Sequence, residues 1–337
     1  MKEKLRSLIG EKRFSVLKKL RSNNANWLKL HLNFYNDLTN YYRHSHVFRT
    51  DNFKKIESEL ILDYHGLEKG FLHEQMRYRF AEGRVKRMLQ NLDKVNYDSS
   101  KSSQVSISLN VLLEYYDFHK KGDINIDDYF SKKDYNIIKL NLVGTENICT
   151  EITADEYFGK VGKPFPSFSD SRKSIRNFSP DLITVEKIKE VLDIAKNSPS
   201  VCNRQPNKVH FIQNKPIIDK VLSIQGGLSG FEKNINQLIV LTCDRNYFFS
   251  IGERNQLFIE GGVFLMNLLY ALHYHKIAAC PANWGKEYKD DIKMRNILNL
   301  SPSEKIICVV AIGYIEGSVK YTLSKRRSPQ EILNVIN

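Results

Sequence analysis

Apolar residues recur at intervals of three and four along most of the first 95 positions. NWLKLHLNFYNDLTNYY and FKKIESELILDYHGLEKGF each place them on one stripe, the pattern of amphipathic helices. A polar, Ser-rich break at 96–104 is followed by another helical run, VSISLNVLLEYYDFHKKG, which Gly122 ends. DINIDDYFSKKD reads as a loop leading to a short apolar segment at Ile137–Val143. Residues 145–170, with FGKVGKPFPSFSDS, read as a linker. The expected organisation is a helical N-terminal region over 1–150 and a second domain over 170–337.

After residue 170 the pattern alternates between helix and strand. Thr184 is the expected N-cap of a helix with Glu186 in its first turn, and Val185, Ile188, Val191, Leu192 and Ala195 form its buried stripe. Pro199 stands beyond its end. VHFIQ (209–213), QLIVLTCD (237–244) and IICVVAIGYI (306–315) read as strands, the last two apolar enough to be central. Residues 255–275 are apolar almost all the way round, yet Glu260, Asn267 and His273 argue against a membrane span. Such a helix belongs at a core or at a subunit interface. Gly261 and Gly262 inside it cost helix stability, which implies a close approach by backbone or ligand.

Charge changes the picture at the N-terminus. Residues 1–30 hold nine Lys or Arg against Glu3 and Glu11, more than half of the chain's net +13. Leu5, Leu8, Ile9, Phe14, Leu17 and Leu20 are interleaved with those cations. One reading is a basic amphipathic helix lying on an anionic membrane surface. The other is a terminal helix that docks its Leu side on the protein body. No recognition motif accompanies the cations, which leaves nucleic acid aside. Five scattered cysteines without CxxC spacing fit neither a disulfide framework nor a zinc site and point to a reducing cytoplasm. His273 and His275, two apart on a helix, cannot share a metal.

Candidate chemistry begins at SRKSIRNFSP (171–180). In an extended segment Arg172, Ser174 and Arg176 point the same way, as a phosphate grip requires; the alternative is an ordinary solvated basic stretch. Four further stretches follow in order: NSPSVCNRQPNKVHF (197–211), the apolar helix continuing into NLLYALHYHKIAACPANW, VVAIGY, and SKRRSPQEIL (324–333). Together these five features resemble the nitroreductase family of FMN-carrying flavoenzymes, with Asn207 where that family often has Trp. Residues 64–89, with His65, Leu67, Glu68, Lys69 and Gly70 at their centre, are similar to an extension of one subgroup found beside bacterial surface-polysaccharide genes.

The resemblance implies an α+β fold, a nitroreductase-like mixed sheet covered by helices, preceded by the helical N-terminal region. It implies that Arg172, Lys173 and Ser174, with Lys325 and Arg327, converge on the FMN phosphate, and that Arg176 faces flavin N1 and O2. Pro199, Ser200 and Asn203 would edge the ring from the partner subunit of a homodimer, and Cys280 and Pro281 lie in the turn that crosses it. Phe231 and Lys233 are further candidate contacts, and Trp284 belongs either to the pocket or to the core. The implied activity is hydride transfer from NADH or NADPH through FMN to a small-molecule acceptor, with no side-chain nucleophile. Rival readings are other flavin chemistry, such as oxidation, dehalogenation or ring fragmentation, a catalytically silent flavin-fold scaffold at the membrane, and, though without a recognition motif, a basic nucleic-acid binder.

Overall fold

The structure, a computed structural model, describes residues 10–44, 48, 52–73, 75–142 and 147–336. Leu5, Leu8 and Ile9 of the basic N-terminus, and Val143 of the short apolar segment, lie outside the described residues.

The N-terminal half is helical: α1 (Glu11–His44), α2 (Phe53–Gly70), α3 (Glu82–Lys94), α4 (Ser103–Lys121) and α5 (Lys132–Asn141). Side-chain caps start three of them, with Asn52 accepting from the Lys55 N–H, Ser102 from Val105, and Ser131 sharing a capping box with Asp134. Helices α2 to α5 enclose one core, in which Leu60, Leu67, Val85, Met88, Leu92, Leu109, Leu112 and Ile138 are fully buried. Asp63 of α2 has no exposed surface and takes Arg84 at 3.0 Å and Arg87 at 2.6 Å from α3. Gly70 is required where α2 meets the Phe80 ring, since a Cβ there would stand 2.2 Å from Cε2.

Helix α1 behaves differently. It buries no residue, and Leu17 (51%) and Leu20 (53%) stay exposed, as do Trp27, Leu28 and Leu38. The reading that docks this Leu stripe on the body is therefore not met for Leu17 and Leu20. Its ties to the body include Asp37, which accepts two hydrogen bonds from Arg254 at 2.7 and 2.9 Å, and the Arg43 carbonyl, which accepts from Lys55 Nζ at 3.3 Å.

The expected linker folds instead into β1 (Cys149–Thr153), α6 (Ala154–Phe158) and α7 (Phe165–Ser171). Its Gly and Pro positions hid a capping box of Thr153 with Glu156 and a buried Tyr157. Beyond it come α8 (Val185–Ala195), β2 (Asn207–Ile212), α9 (Lys215–Gln225), β3 (Gln237–Asp244), α10 (Gln256–Tyr274), β4 (Ala278–Asn283), α11 (Tyr288–Leu298), β5 (Glu304–Gly313), β6 (Ser318–Thr322) and α12 (Pro329–Ile332). Thr184 caps α8 as expected, accepting from the Lys187 N–H.

Strands β2, β3, β5 and β4 form an antiparallel sheet in that order, and every residue of β3 is buried. The parallel pairing that makes the sheet mixed is an isolated bridge, Ser174 to Ala279. Alternation along β3 separates two cores. Leu238 and Val240 face Ile218, Val221 and Met294 of α9 and α11, while Ile239 faces Ile188, Val191, Leu268 and Leu272 of α8 and α10. Strand β1 pairs antiparallel with β6, joining the end of the helical region to the end of the chain.

By length and composition α10 could cross a membrane. Its three polar interruptions, however, each hold a neighbouring segment. Glu260 accepts from the Val201 N–H at 2.7 Å, Asn267 donates to the Ile194 and Ala195 carbonyls, and His273 bonds the Ser171 hydroxyl at 2.8 Å. It is the core helix of this half. Gly261 answers the expected close approach, because a Cβ there would stand 2.6 Å from Ile307; Gly262 faces open space. Beside Gly262, Ile259, Val263, Met266 and Tyr274 form an exposed apolar stripe.

Candidate functional site

Residues 172–176 run beside β4, held by the Ser174 bridge and by the Ile175 N–H donating to the Ala279 carbonyl at 3.1 Å. Ile175 is fully buried, so the alternation read from the sequence turns Ser174 and Arg176 the other way. Arg176 is 6% exposed; its Nη1 donates to the Ser174 carbonyl at 3.4 Å and its Nε has no partner. Arg172 likewise carries a buried Nη1 without a partner. Both positive charges reach Cys280 on β4, where burial nevertheless pushes the thiol up. A raised, buried thiol is no nucleophile. Buried donors left unpaired each cost about 1–3 kcal/mol, so this pair of guanidinium groups is built to receive an acceptor.

Lys173 points the opposite way and pairs with Asp170 at 3.4 Å, while its carbonyl accepts from the Tyr157 hydroxyl. The structure therefore separates it from Arg172 and Arg176. Pro281 stands opposite Val310 on the outer side of β4, where a missing N–H is tolerated.

His273 lies under this corner. Burial, then the Arg172 charge, lowers its imidazole to about 4, so it is neutral near pH 7. The Ser171 hydroxyl donates to the Phe168 carbonyl and so accepts from His273 Nε2–H, which leaves Nδ1 as a buried acceptor without a partner.

Pro199, Ser200 and Asn203 lie at the other end of α10. The Val201 N–H donates to Glu260, which is about 20 Å from His273 at 1.5 Å per helical residue. Cys202, Asn203 and Gln205 have left-handed φ of 51°, 54° and 51°, a concentration of backbone strain held by its surroundings. The Gln205 N–H donates to Ser200 Oγ at 2.9 Å, and Arg204 forms a two-pronged pair with Glu253 at 2.5 and 3.1 Å. A cavity of about 280 Å³ opens here between Pro199, Ser200, Gln205, Asn207 and Phe264. Asn207 Oδ1, on its lining, is buried without a partner, as is Glu260 Oε2 on α10. Within one chain, then, the second predicted segment does not meet the first.

In the closing basic segment Arg327 donates through both prongs to Glu57 of α2, at 3.0 and 2.8 Å. Lys325 and Arg326 line a cavity of about 260 Å³ with Tyr64, His65 and Glu68. Trp284 belongs to the core, its indole N–H donating to Asp291 at 2.6 Å, and Phe231 is buried against the His73 ring. Lys233 is exposed. Glu57, Glu260 and His273 were the residues that the pattern did not single out for the site; a buried charge on an apolar stripe was the available signal.

The architecture is α+β, with paired orphan guanidinium groups at the outer edge of an antiparallel sheet and strained backbone at the far end of its core helix. The family model described as the nitroreductase family matches residues 170–239. A 4-nitrobenzoate reductase of Pseudomonas putida is 22% identical over 214 residues, covering 50% of this chain and 92% of that protein. Among solved structures, an FMN-dependent nitroreductase from Clostridium difficile R20291 is 18% identical over 50% of this chain and 93% of its own, with a TM-score of 0.39. A nitroreductase family protein from Clostridium difficile 630 is 20% identical over 51% and 97%, with a TM-score of 0.43. The match to the nitroreductase family model is confined to residues 170–239, while the Pseudomonas putida relative aligns with half of the chain.

Proposed function

We propose that this chain is an FMN-dependent oxidoreductase that takes hydride from NADH or NADPH and delivers it to a small-molecule acceptor. The observation that carries the reading is the pair of buried, unpartnered donors on Arg172 and Arg176, inside the segment that the family model matches. Arg172 and Ser174 would hold the cofactor's phosphate and Arg176 its pyrimidine edge. The flavin, when bound, supplies the hydride chemistry. The chain supplies charge and orientation: His273, neutral under Arg172, adds no competing positive charge, and raised thiols leave Cys280 and Cys308 inert.

A homodimer completes this reading. Unpaired buried polar groups sit at both ends of α10, Arg172 and His273 at one and Asn207 and Glu260 at the other, with an exposed apolar stripe between. Antiparallel packing of α10 on its two-fold mate would bring Ser200 and Asn203 of one protomer to the arginine corner of the other. Reversible attachment to an anionic cytoplasmic leaflet through residues 1–30 is supported by the exposed Leu17 and Leu20 among cations on α1. An acceptor in surface-polysaccharide assembly rests on the resemblance of residues 64–89 alone.

The test is reconstitution with FMN followed by reduction with NADH or NADPH. The wild-type protein is expected to turn yellow and bleach, and Arg172→Ala to bind FMN about one to two decades more weakly. A wild-type protein that stays flavin-free overturns the proposal.

A further inference from the structure

Helix α1 runs against the rule that an amphipathic helix lays its apolar row on the protein body. In its C-terminal half the row turned to the body is Leu30, Asn33 and Asp37, spaced at three and four and only half-buried. Asp37 takes Arg254 at 2.7 and 2.9 Å, and the Arg43 carbonyl takes Lys55 at 3.3 Å. A second row, Trp27, Phe34, Leu38 and Tyr41 with Tyr35 and Tyr42 beside it, is turned away, and each of these side chains is 50–65% exposed. Rolling α1 over to bury that row on its own protomer would break the Arg254 pair.

The chemistry of the row selects its occupant. From Ser22 to Tyr42 the only Lys or Arg is Lys29, whereas a helix lying on anionic lipid carries cations along its polar face. Aromatic residues with few cations are the composition of a protein interface core. Trp27 is ordered in advance as an anchor, with the His31 ring edge-on at 4.4 Å and His31 Nδ1 at the Trp27 carbonyl, 2.9 Å away. Six side chains of this size at that exposure present on the order of 700 Å², close to the ~800 Å² that each partner gives to a stable interface. The place of the row points the same way. Arg254 stands one residue before the N-cap Asn255 of α10, so α1 is pinned at the edge of the exposed α10 face that starts with Phe258 and Ile259. From Asp37 back to Glu11 the helix measures about 39 Å, against about 28 Å for the whole of α10.

We propose that α1 is an arm that packs its aromatic row, Trp27 to Tyr42, on a second copy of this chain, at the border of the α10 face. The inference rests on the homodimer of the reading above and adds to it a second contact, supplied by the N-terminal region. Two-fold symmetry makes that contact reciprocal, each protomer giving one arm and receiving one. The cations that end at Arg21 lie outside the row, so their attraction to an anionic surface is independent of it.

The experiment uses the full-length chain. With the photo-cross-linker benzoylphenylalanine in place of Trp27, unlabelled and nitrogen-15-labelled chains are mixed and irradiated, and mass spectrometry tells cross-links between chains from those within one. Dimer dissociation is read by sedimentation velocity over a concentration series for wild type and for Phe34→Glu with Leu38→Glu, each checked for folding by circular dichroism. Cross-links between chains are expected, with a dissociation constant raised about tenfold or more in the double variant. Cross-links confined to one chain, or none, overturn the inference, and a wild type that still sediments as a dimer then leaves the homodimer standing. An unchanged dissociation constant in the double variant overturns it as well. Cross-linking to lipid alone, when anionic liposomes are added, assigns the row to a membrane and overturns it. A wild type that is a monomer at every concentration removes both the arm and the homodimer.

Discussion

Arg327→Ala is expected to loosen the fold before it touches the cofactor. Its guanidinium bridges 270 residues of sequence to Glu57, whose side chain is 8% exposed while that of Arg327 is 34% exposed. Removing one partner of a fully buried pair costs about 3–5 kcal/mol, because the survivor's charge stays buried. Solvent reaches the arginine side here, which reduces the expected loss to about 2 kcal/mol. That is a large part of a domain's stability of about 5–15 kcal/mol. Urea unfolding followed by circular dichroism would show a lower midpoint for Arg327→Ala and for Glu57→Gln. In the double variant the losses should fall short of their sum, as for groups in contact. A wild-type unfolding midpoint in Arg327→Ala, together with FMN binding weakened by one to two decades, would refute this and return Arg327 to the phosphate.

Three further outcomes are expected. His273 is lowered from its ordinary 6.5 to about 4, so the unfolded chain takes up its proton first; the stability it contributes is full above pH 6.5 and lost as pH falls to about 4, by about 3 kcal/mol at most. His273→Gln should flatten the acid limb of a stability–pH curve in that window, and an unchanged limb would count against it. Ile259→Lys with Val263→Lys should sediment as a monomer and lose FMN affinity; a flavin-loaded dimer would show that the stripe on α10 lies outside the interface. Full-length protein should float with anionic liposomes at low salt and be released by high salt, and a chain lacking residues 1–24 should not; equal flotation of the two removes the membrane reading.

What the sequence discloses and what it hides divide along a physical line. Helix and strand periods are local, so α8, α10, β3 and β5 could be read from apolar spacing within a few residues of their observed ends. Local alternation likewise disclosed that Ser174 and Arg176 share a face and that Lys173 does not, although the family resemblance drew Lys173 into the site. Partnerships between distant segments leave no such period. Nothing in the spacing of Glu57 or Arg327 pairs them, and nothing in residues 145–170 reveals that β1 must meet β6. The same limit applies to the closing basic segment: seen alone its cations are free to bind an anion, whereas in the fold Arg327 already has a carboxylate, supplied by α2. Arg172 and Arg176 differ because neither has a carboxylate among the described residues to satisfy it. Cations left unpaired after the chain has made its own ion pairs, more than cations counted along a sequence, therefore mark where an anionic cofactor belongs, and by that criterion Arg172 and Arg176 stand apart from Arg327.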